Sequence, residues 1–408
     1  MLLRHVSRGE PALLYMERYV DEGARSYSRF AKTSEVAPDY RPTSTRSSFE
    51  AQTVVVPRER IVVVEASPDD GLRRHYVSNA VVRFVVHPDT WTMPGIPYLD
   101  DLRSLPRGEP IRVAPTASTR TVLVLERNGG VPPHFLKLHL PRRISRFVRR
   151  LRRKAIVNSV AVTRDLHTVG DDAFGYLADA LGCVLGDDED AWGFLVREEL
   201  PRPHREGRIL VPAFALYAGD AGDSGHRPLI VQLIEHHAVD PTEFLLEAVL
   251  LPVVRTWARV VRTRGLLREM HAQNTRLELD RALRPTRIVY RDGDIWIDGA
   301  ARRRLGLSLD FRDAVLGMDP ARPPAPHYSL VYDHFLGREL FDYLVAAVAR
   351  FFPVDERAVH HRVRAALADA LGEHADVFPR RTTFYFADEV RPDNQVPLVD
   401  THSPPRWR

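Results

Sequence analysis

Apolar residues in this chain follow two rhythms. Between residues 53 and 140 they come in short blocks: Thr53-Val54-Val55-Val56, Ile61-Val62-Val63-Val64-Glu65, Val81-Val82-Arg83-Phe84-Val85-Val86, Ile111-Arg112-Val113, Val122-Leu123-Val124-Leu125 and Phe135-Leu136-Lys137-Leu138-His139-Leu140. β-Branched blocks of this length, cut by Pro, Gly or charge, predict buried strands. The first two are joined by the charged turn Pro57-Arg58-Glu59-Arg60, the last two by Glu126-Arg127-Asn128-Gly129-Gly130. Further strands are predicted over residues 192–199 and 209–216. Beyond Asp240-Pro241-Thr242, a good helix start, the spacing lengthens. Leu246, Val249, Leu250, Val253, Val254, Trp257 and Val261 recur three and four apart, which predicts a helix closed by Gly265. Residues 330–352 and 359–371 predict two more, and a short one is predicted over 12–19. The same spacing predicts a helix over 171–185, with Phe174, Leu177, Leu181 and Val184 inward. It also predicts one over 141–154, where Ile144, Phe147, Val148 and Leu151 oppose an Arg face. The tail reads as strand and loop through 384–399, ending in an exposed Pro-rich stub. Strands first and helices later make the fold class α+β.

Composition narrows this modestly. The 408 residues suffice for two or three domains, and 44% hydrophobic with 27% charged content is that of a soluble globular protein. A single cysteine, Cys183, excludes an internal disulfide framework and fits a reducing cytoplasm. No run has signal-peptide or membrane-spanning character, so a cytoplasmic location is expected, with no membrane partner. Net charge is only +4, and no aromatic platform is interleaved with the Arg-rich stretch, so no nucleic acid partner is expected. Lys occurs only at positions 32, 137 and 154. A Lys kept inside an apolar strand, as at Lys137, points to a need for a compact ammonium rather than a guanidinium fork.

The chemistry concentrates in two places. Glu269-Met270-His271-Ala272-Gln273-Asn274, followed by Tyr290-Arg291-Asp292, gathers two acids, an imidazole and two amides at the end of the long helix. Asn274 and Asp292 offer the hard oxygens that Mg²⁺ takes beside substrate phosphates. The hydroxyl-rich turn Ser118-Thr119-Arg120-Thr121 lies between strands, and Lys137 shares a strand face with Phe135 and His139, an arrangement suited to gripping phosphates. Other candidates read more blandly. His236-His237 are adjacent and point apart, and the acidic run Asp187-Asp188-Glu189-Asp190 reads as a solvated turn. His87 reads as a loop residue ending a strand, with a ligand role left open. There is no internal repeat.

In order and spacing these motifs resemble the IucA/IucC family of siderophore synthetases. Ser118-Thr119-Arg120-Thr121 is similar to that family's Ser-x-Arg-Thr turn. His134 to Pro141, with Ile144-Ser145 and then Arg149, is similar to its Lys strand and Arg-bearing helix. Glu269 to Asn274 is similar to Glu-Ala-His-Gly-Gln-Asn, with Ala272 for the Gly, and Arg291-Asp292 to the Arg-Asp that follows. Arg380 or Arg381 stands where the family has a C-terminal Lys. The resemblance implies thumb, fingers and palm: a reduced N-terminal domain over 1–110, antiparallel-sheet fingers over 111–240, and a mostly helical palm over 241–408, distantly like the lobes of a kinase. It implies ATP and Mg²⁺ as cofactors, and a small-molecule carboxylic acid and an amine or alcohol as partners. Ser118, Arg120 and Thr121 would grip phosphates, and Lys137, Arg149 and His271 would act in catalysis. Asn274 and Asp292 would hold the metal, with Glu269 and Gln273 orienting them. A homodimer through the palm is possible, with the Trp257 helix contributing. The expected activity is carboxylate adenylation followed by acyl transfer. A small-molecule phosphotransferase and a non-catalytic binding protein remain as alternatives.

Overall fold

The computed structural model describes residues 10–19, 30, 33–125, 130–219, 225 and 227–408. Its frame is an eight-stranded antiparallel sheet. In chain order the strands are Phe49–Pro57, Ile61–Glu65, Val81–Val86, Ile111–Pro115, Thr121–Val124, His134–Lys137, Asp179–Leu185 and Trp192–Glu198. Across the sheet they run second, seventh, eighth, sixth, fifth, fourth, first, third. The first two strands are joined only by Arg58–Arg60, yet five strands lie between them. In a flat sheet their axes would stand about 29 Å apart, at ~4.8 Å per strand. So short a link reaches roughly half that distance. The sheet therefore curls around an apolar interior that includes Val54, Val82, Phe84, Leu136 and Phe194. Ile61–Glu65 is an edge strand whose Val62 is 37% exposed, so the expected burial of this block holds only in part. The turn expected at residues 126–129 lies outside the described residues, as do Lys32 and most of the loop at 220–226.

A second, four-stranded sheet joins Ile209–Pro212, Thr275–Leu279, Pro285–Tyr290 and Phe174–Tyr176. Strands from both sides of residue 110 share the large sheet, and strands from both sides of residue 240 share this one. The helical half follows expectation. Asp240 caps a helix by accepting from the Glu243 amide at 2.8 Å. That helix runs through a π segment, Phe244–Leu250, into Leu251–Arg264, and Gly265 closes it at φ +63°. Ala325–Ser329, a π segment Leu330–Phe341 and Asp342–Ala349 form a second long helix, and Glu356–Leu371 packs on the first. Among the described residues no helix is long and apolar enough to cross a membrane.

Five expectations are corrected, one of them in part. Residues 171–185 form two strands, not a helix. All seven residues of Asp179–Leu185 are buried, so no polar face existed to separate a strand from a helix. Residues 141–154 form no helix. Arg143–Ile144 pairs with Phe147–Val148 across Ser145, which takes a left-handed φ of +58°. The helix starts after Arg152 instead and runs Arg153–His167, with Ile156, Val160, Thr163 and Leu166 buried. Gly182 admits Ile156, whose Cγ2 lies 2.4 Å from where a Cβ would stand. Residues 213–217 continue the strand Ile209–Pro212 as a short helix. Finally, the C-terminal stub is exposed only in part: His402, Pro404 and Arg406 are exposed, but the last two residues pack back on the fold. Trp407 is 1% exposed against Phe341 and His360, and Arg408 pairs with Asp333 at 3.0 Å. The Trp257 face is core as well, buried beside Phe378 and Tyr332, and is not open to a partner.

Candidate functional site

The two stretches that sequence reading singled out meet. Thr121 stands opposite Lys137, and Lys137 opposite Leu195, so these side chains share one face of the curled sheet. Lys137 is 1% exposed, and its Nζ donates to Asp292 Oδ1 at 2.7 Å across 155 residues of sequence. Asp292 is delivered by a hairpin. Thr275–Leu279 pairs with Pro285–Tyr290, setting Asn274, just before one strand, beside Arg291 and Asp292, just after the other. The Arg291 amide donates to Asn274 O at 3.0 Å. Asp292 itself turns at φ +89°. The next residue must be small, because a Cβ on Gly293 would lie 2.5 Å from Ser159 Cα and 2.7 Å from Ser159 O. Gly293→Ala should therefore cost about 1–3 kcal/mol in a denaturant melt and dislodge Asp292. An unshifted melting curve with unchanged activity would show that the turn tolerates the methyl.

Within the acidic motif the ring of His271 organises the backbone. Its Nδ1 accepts from the Gln273 amide at 3.2 Å, so the proton of the neutral ring sits on Nε2, 3.2 Å from the Asn274 side-chain amide. Burial keeps the imidazole neutral, its pKa lowered to about 4. That Asn274 nitrogen, itself a donor, makes no bond to the protonated Nε2 and donates instead to Glu269 O at 3.1 Å. Gln273 contributes through its main chain, whose carbonyl accepts from Arg291 Nε at 2.9 Å. Opposite, the Ser118 hydroxyl accepts from the Thr121 amide at 3.1 Å, and Thr119 takes φ +63°, which holds the turn tight. Arg149 follows the small hairpin rather than sitting on a helix, its guanidinium 5.7 Å from the Phe147 ring centre.

The field is strongly cationic around one carboxylate. Burial, then Arg149, lowers the Arg120 guanidinium to about 10. Burial, only partly offset by Asp292, draws Lys137 below its ordinary range, with Arg120 adding to the fall. Against the upward push of burial, Lys137, Arg197 and Arg120 hold Asp292 well below the usual carboxylate range. Glu269 behaves oppositely: burial, then Asp294 and Asp292, pushes it up to about 8. Cations that repel one another across a shared carboxylate form a site primed for a polyanion.

Sequence reading missed several members. Arg197 binds Asp179 with two bonds, 2.7 and 3.0 Å, and lies 3.5 Å from Asp292. It sits two residues past Leu195 and so on the Lys137 face; a charge placed within an apolar strand block was the signal that could have marked it. Glu17, from the helix Glu10–Tyr19, is buried between Arg276 and Arg291. Nothing local in the sequence marks it. His87 is buried, and its Nδ1 caps Pro88–Thr92 by accepting from the Asp89 amide. His237 faces the Leu283 carbonyl at 3.0 Å. Among the described residues no group of three or more His, Cys, Asp or Glu stands ready to bind a metal alone.

Comparison with known proteins supplies a frame. Residues 45–218 match the IucA / IucC family, and residues 242–404 match a second family, described as ferric iron reductase FhuF-like transporter. The first match holds Ser118, Arg120, Lys137 and Arg149, the second Glu269 to Asp292. Among curated proteins none matches. Aerobactin synthetase IucC from a hypervirulent pathotype of Klebsiella pneumoniae superposes at TM-score 0.64 with 19% identity, over 87% of this chain and 67% of its own. ATP-bound aerobactin synthetase IucA from the same source gives 0.70 and 14%, over 100% and 80%. The petrobactin biosynthesis protein AsbB from Bacillus anthracis str. Sterne gives 0.68 and 14%, over 100% and 79%. At these identities the likeness is one of fold: a mixed α+β chain around a curled antiparallel sheet.

Proposed function

We propose that this chain, whose residues 45–218 match the IucA/IucC family, is an ATP-dependent ligase of siderophore or related natural-product biosynthesis. In this reading it adenylates a carboxylic acid and passes the acyl group to an amine or alcohol. One observation carries the reading: Lys137 from the sheet touching Asp292 from the hairpin, with Arg120 acting on both and Arg149 acting on Arg120 and His271. The Ser118–Thr121 turn and Lys137 would hold the ATP phosphates. Arg149 would face the α-phosphate, where charge builds as the substrate carboxylate attacks phosphorus and pyrophosphate leaves. The acceptor then attacks the acyl carbon, and the C–O bond to AMP breaks. His271, neutral and held by the Gln273 amide, would donate Nε2–H to phosphate. Asn274 and Asp292 fit Mg²⁺ as a two-oxygen site that substrate phosphates complete; bound there, the ion would neutralise phosphate charge. In the kinase-like arrangement of thumb, fingers and palm, this cleft lies between the last two. We read the FhuF-like match as shared fold in that half.

The nucleotide product tests the proposal. Supplied with ATP, Mg²⁺ and a panel of polycarboxylic acids, the protein should exchange labelled pyrophosphate into ATP and release AMP in full turnover. ADP across the whole panel would replace this reading with a phosphotransferase.

A further inference from the structure

The helical half holds a cavity of about 520 Å³ whose charged walls are all basic. Arg262 and Arg264, from the last turn of Leu251–Arg264, meet Arg304, from the last turn of Gly299–Arg304, and His374 joins them from the turn Gly372–Val377. Ala301 and Leu305, the latter 43% exposed, supply apolar wall. Among the described residues no carboxylate lines the cavity, and neither does any residue proposed for the ATP site.

Cations in a last helical turn ordinarily serve the helix end, and in part these do. Arg262 Nη1 donates to Ala370 O at 2.8 Å, in the last turn of Glu356–Leu371. Arg264 Nε donates to Thr168 Oγ1 at 2.8 Å, just past Arg153–His167, and its Nη1 to Thr263 O at 3.0 Å. Each guanidinium has five N–H donors, so most remain uncommitted. Among the described residues the Arg304 guanidinium makes no hydrogen bond, and none of the three arginines has a carboxylate within 4.0 Å. On the same two helices Arg302 binds Asp165 and Arg259 binds Asp171. The fold thus supplies acids to arginines beside the cavity and none within it.

Three guanidinium groups around one concave space repel one another and focus a positive field into it. Each fork binds carboxylate or phosphate through two parallel bonds, and three forks exceed what a single small anion engages. The volume is that of a small-molecule site, within the usual range of about 300–1,000 Å³. Ala301 and Leu305 offer contact to carbon, which a bare inorganic ion does not use.

We infer that this cavity is a second ligand site, which takes a small organic polyanion. Its carboxylate or phosphate groups sit on Arg262, Arg264 and Arg304, and its carbon skeleton lies on Ala301 and Leu305. The inference is independent of the ligase reading. A ligand bridging Arg264 and Arg304 braces the turn at Gly265, which follows Arg264 and leads into the strand Leu266–Leu267. That turn is already close-packed, since a Cβ on Gly265 would lie 2.9 Å from Arg302 Cγ and 3.0 Å from Asp298 O.

Calorimetric titration of the full chain tests the site, with tricarballylate for the carboxylate class, fructose bisphosphate for the phosphate class, and sodium chloride of matched ionic strength as the control. At least one probe should bind saturably in both the parent and Lys137→Met, which disables the ATP grip and leaves this cavity whole. The tighter probe names the class. Combined Arg262→Gln and Arg304→Gln should weaken that probe by about tenfold or more in both backgrounds. Arg303→Gln, an exposed arginine of the same helix that does not line the cavity, should change it less than about twofold. Arg262 and Arg304 are exposed, so these variants should keep the parental melting curve. In the parent the probe should slow amide hydrogen exchange over residues 264–268 and 299–306. Absence of saturable binding by either probe, equal binding in the double variant, an equal loss in Arg303→Gln, or unchanged exchange over both segments would overturn the site.

Discussion

Lys137→Met should lower ATP–pyrophosphate exchange by about a thousandfold, ~4 kcal/mol of transition-state stabilisation, the upper range for losing one positioned donor in a dry site. Methionine keeps most of the side-chain volume, so the buried strand position stays filled. Stability should suffer less than activity. Stripping one partner from a buried ion pair costs roughly 3–5 kcal/mol when the other is left alone. Here Asp292 keeps Arg197 at 3.5 Å, so a loss on the order of 1–2 kcal/mol in a urea melt is expected. Lys137→Arg should fail almost as badly, because a planar fork does not fit a position that is buried and opposite Thr121 and Leu195. Exchange that survives in Lys137→Met at the parental rate would remove Lys137 from the phosphate grip and with it the observation on which the proposed function stands.

How much of this was readable in the chain depends on whether local chemistry marked it. Lys137 stood out because ammonium groups are rare in apolar strands, and Asn274 and Asp292 because hard oxygens clustered around an imidazole. The hairpin between Thr275 and Tyr290 then brought the two together as their spacing suggested. Residues 171–185 were misread because burial on every side erases the alternation that distinguishes a strand. Residues 141–154 misled for the opposite reason. Their helical spacing is accidental, and the short hairpin is held from the far end of the chain, with Val148 bonded through both N–H and C=O to the Asn394 side chain at 2.9 and 2.7 Å. Trp407 and Glu17 become intelligible only in three dimensions. Each sits in an unremarkable terminal stretch, and its partners are distant in sequence: Phe341 and His360 lie in helices tens of residues before Trp407, and Arg276 and Arg291 in a hairpin more than 250 residues after Glu17.

Glu17→Ala should be the most destabilising single change in the site region, at about 3–5 kcal/mol in a denaturant melt at pH 7. The carboxylate receives Arg291 Nη1 at 2.7 Å and also binds Arg276, and the backbone of Ala117, next to Ser118, donates to it. Without it two guanidinium groups remain buried side by side. Burial, then Arg291, already draws Arg276 down to about 9, so the pair has little tolerance for losing its counter-charge. The pH dependence follows from the direction of the Glu17 shift. Burial pushes upward, but Arg291 and Arg276 outweigh it and hold the folded-state pKa below the ordinary 4.5. Stability from this group is therefore fully present above pH 4.5 and lost as pH falls through the lower folded value. The gap between parent and Glu17→Ala should be widest at neutral pH and shrink below pH 4.5, and a gap of constant size would show that the charge is not what stabilises. Activity should fall with stability, because Arg291 also holds the Gln273 carbonyl at 2.9 Å and thereby the His271–Asn274 turn. A helix more than two hundred residues before the hairpin thus ties the hydroxyl turn to the hairpin that carries Asp292, and losing the Glu17 carboxylate should loosen both together.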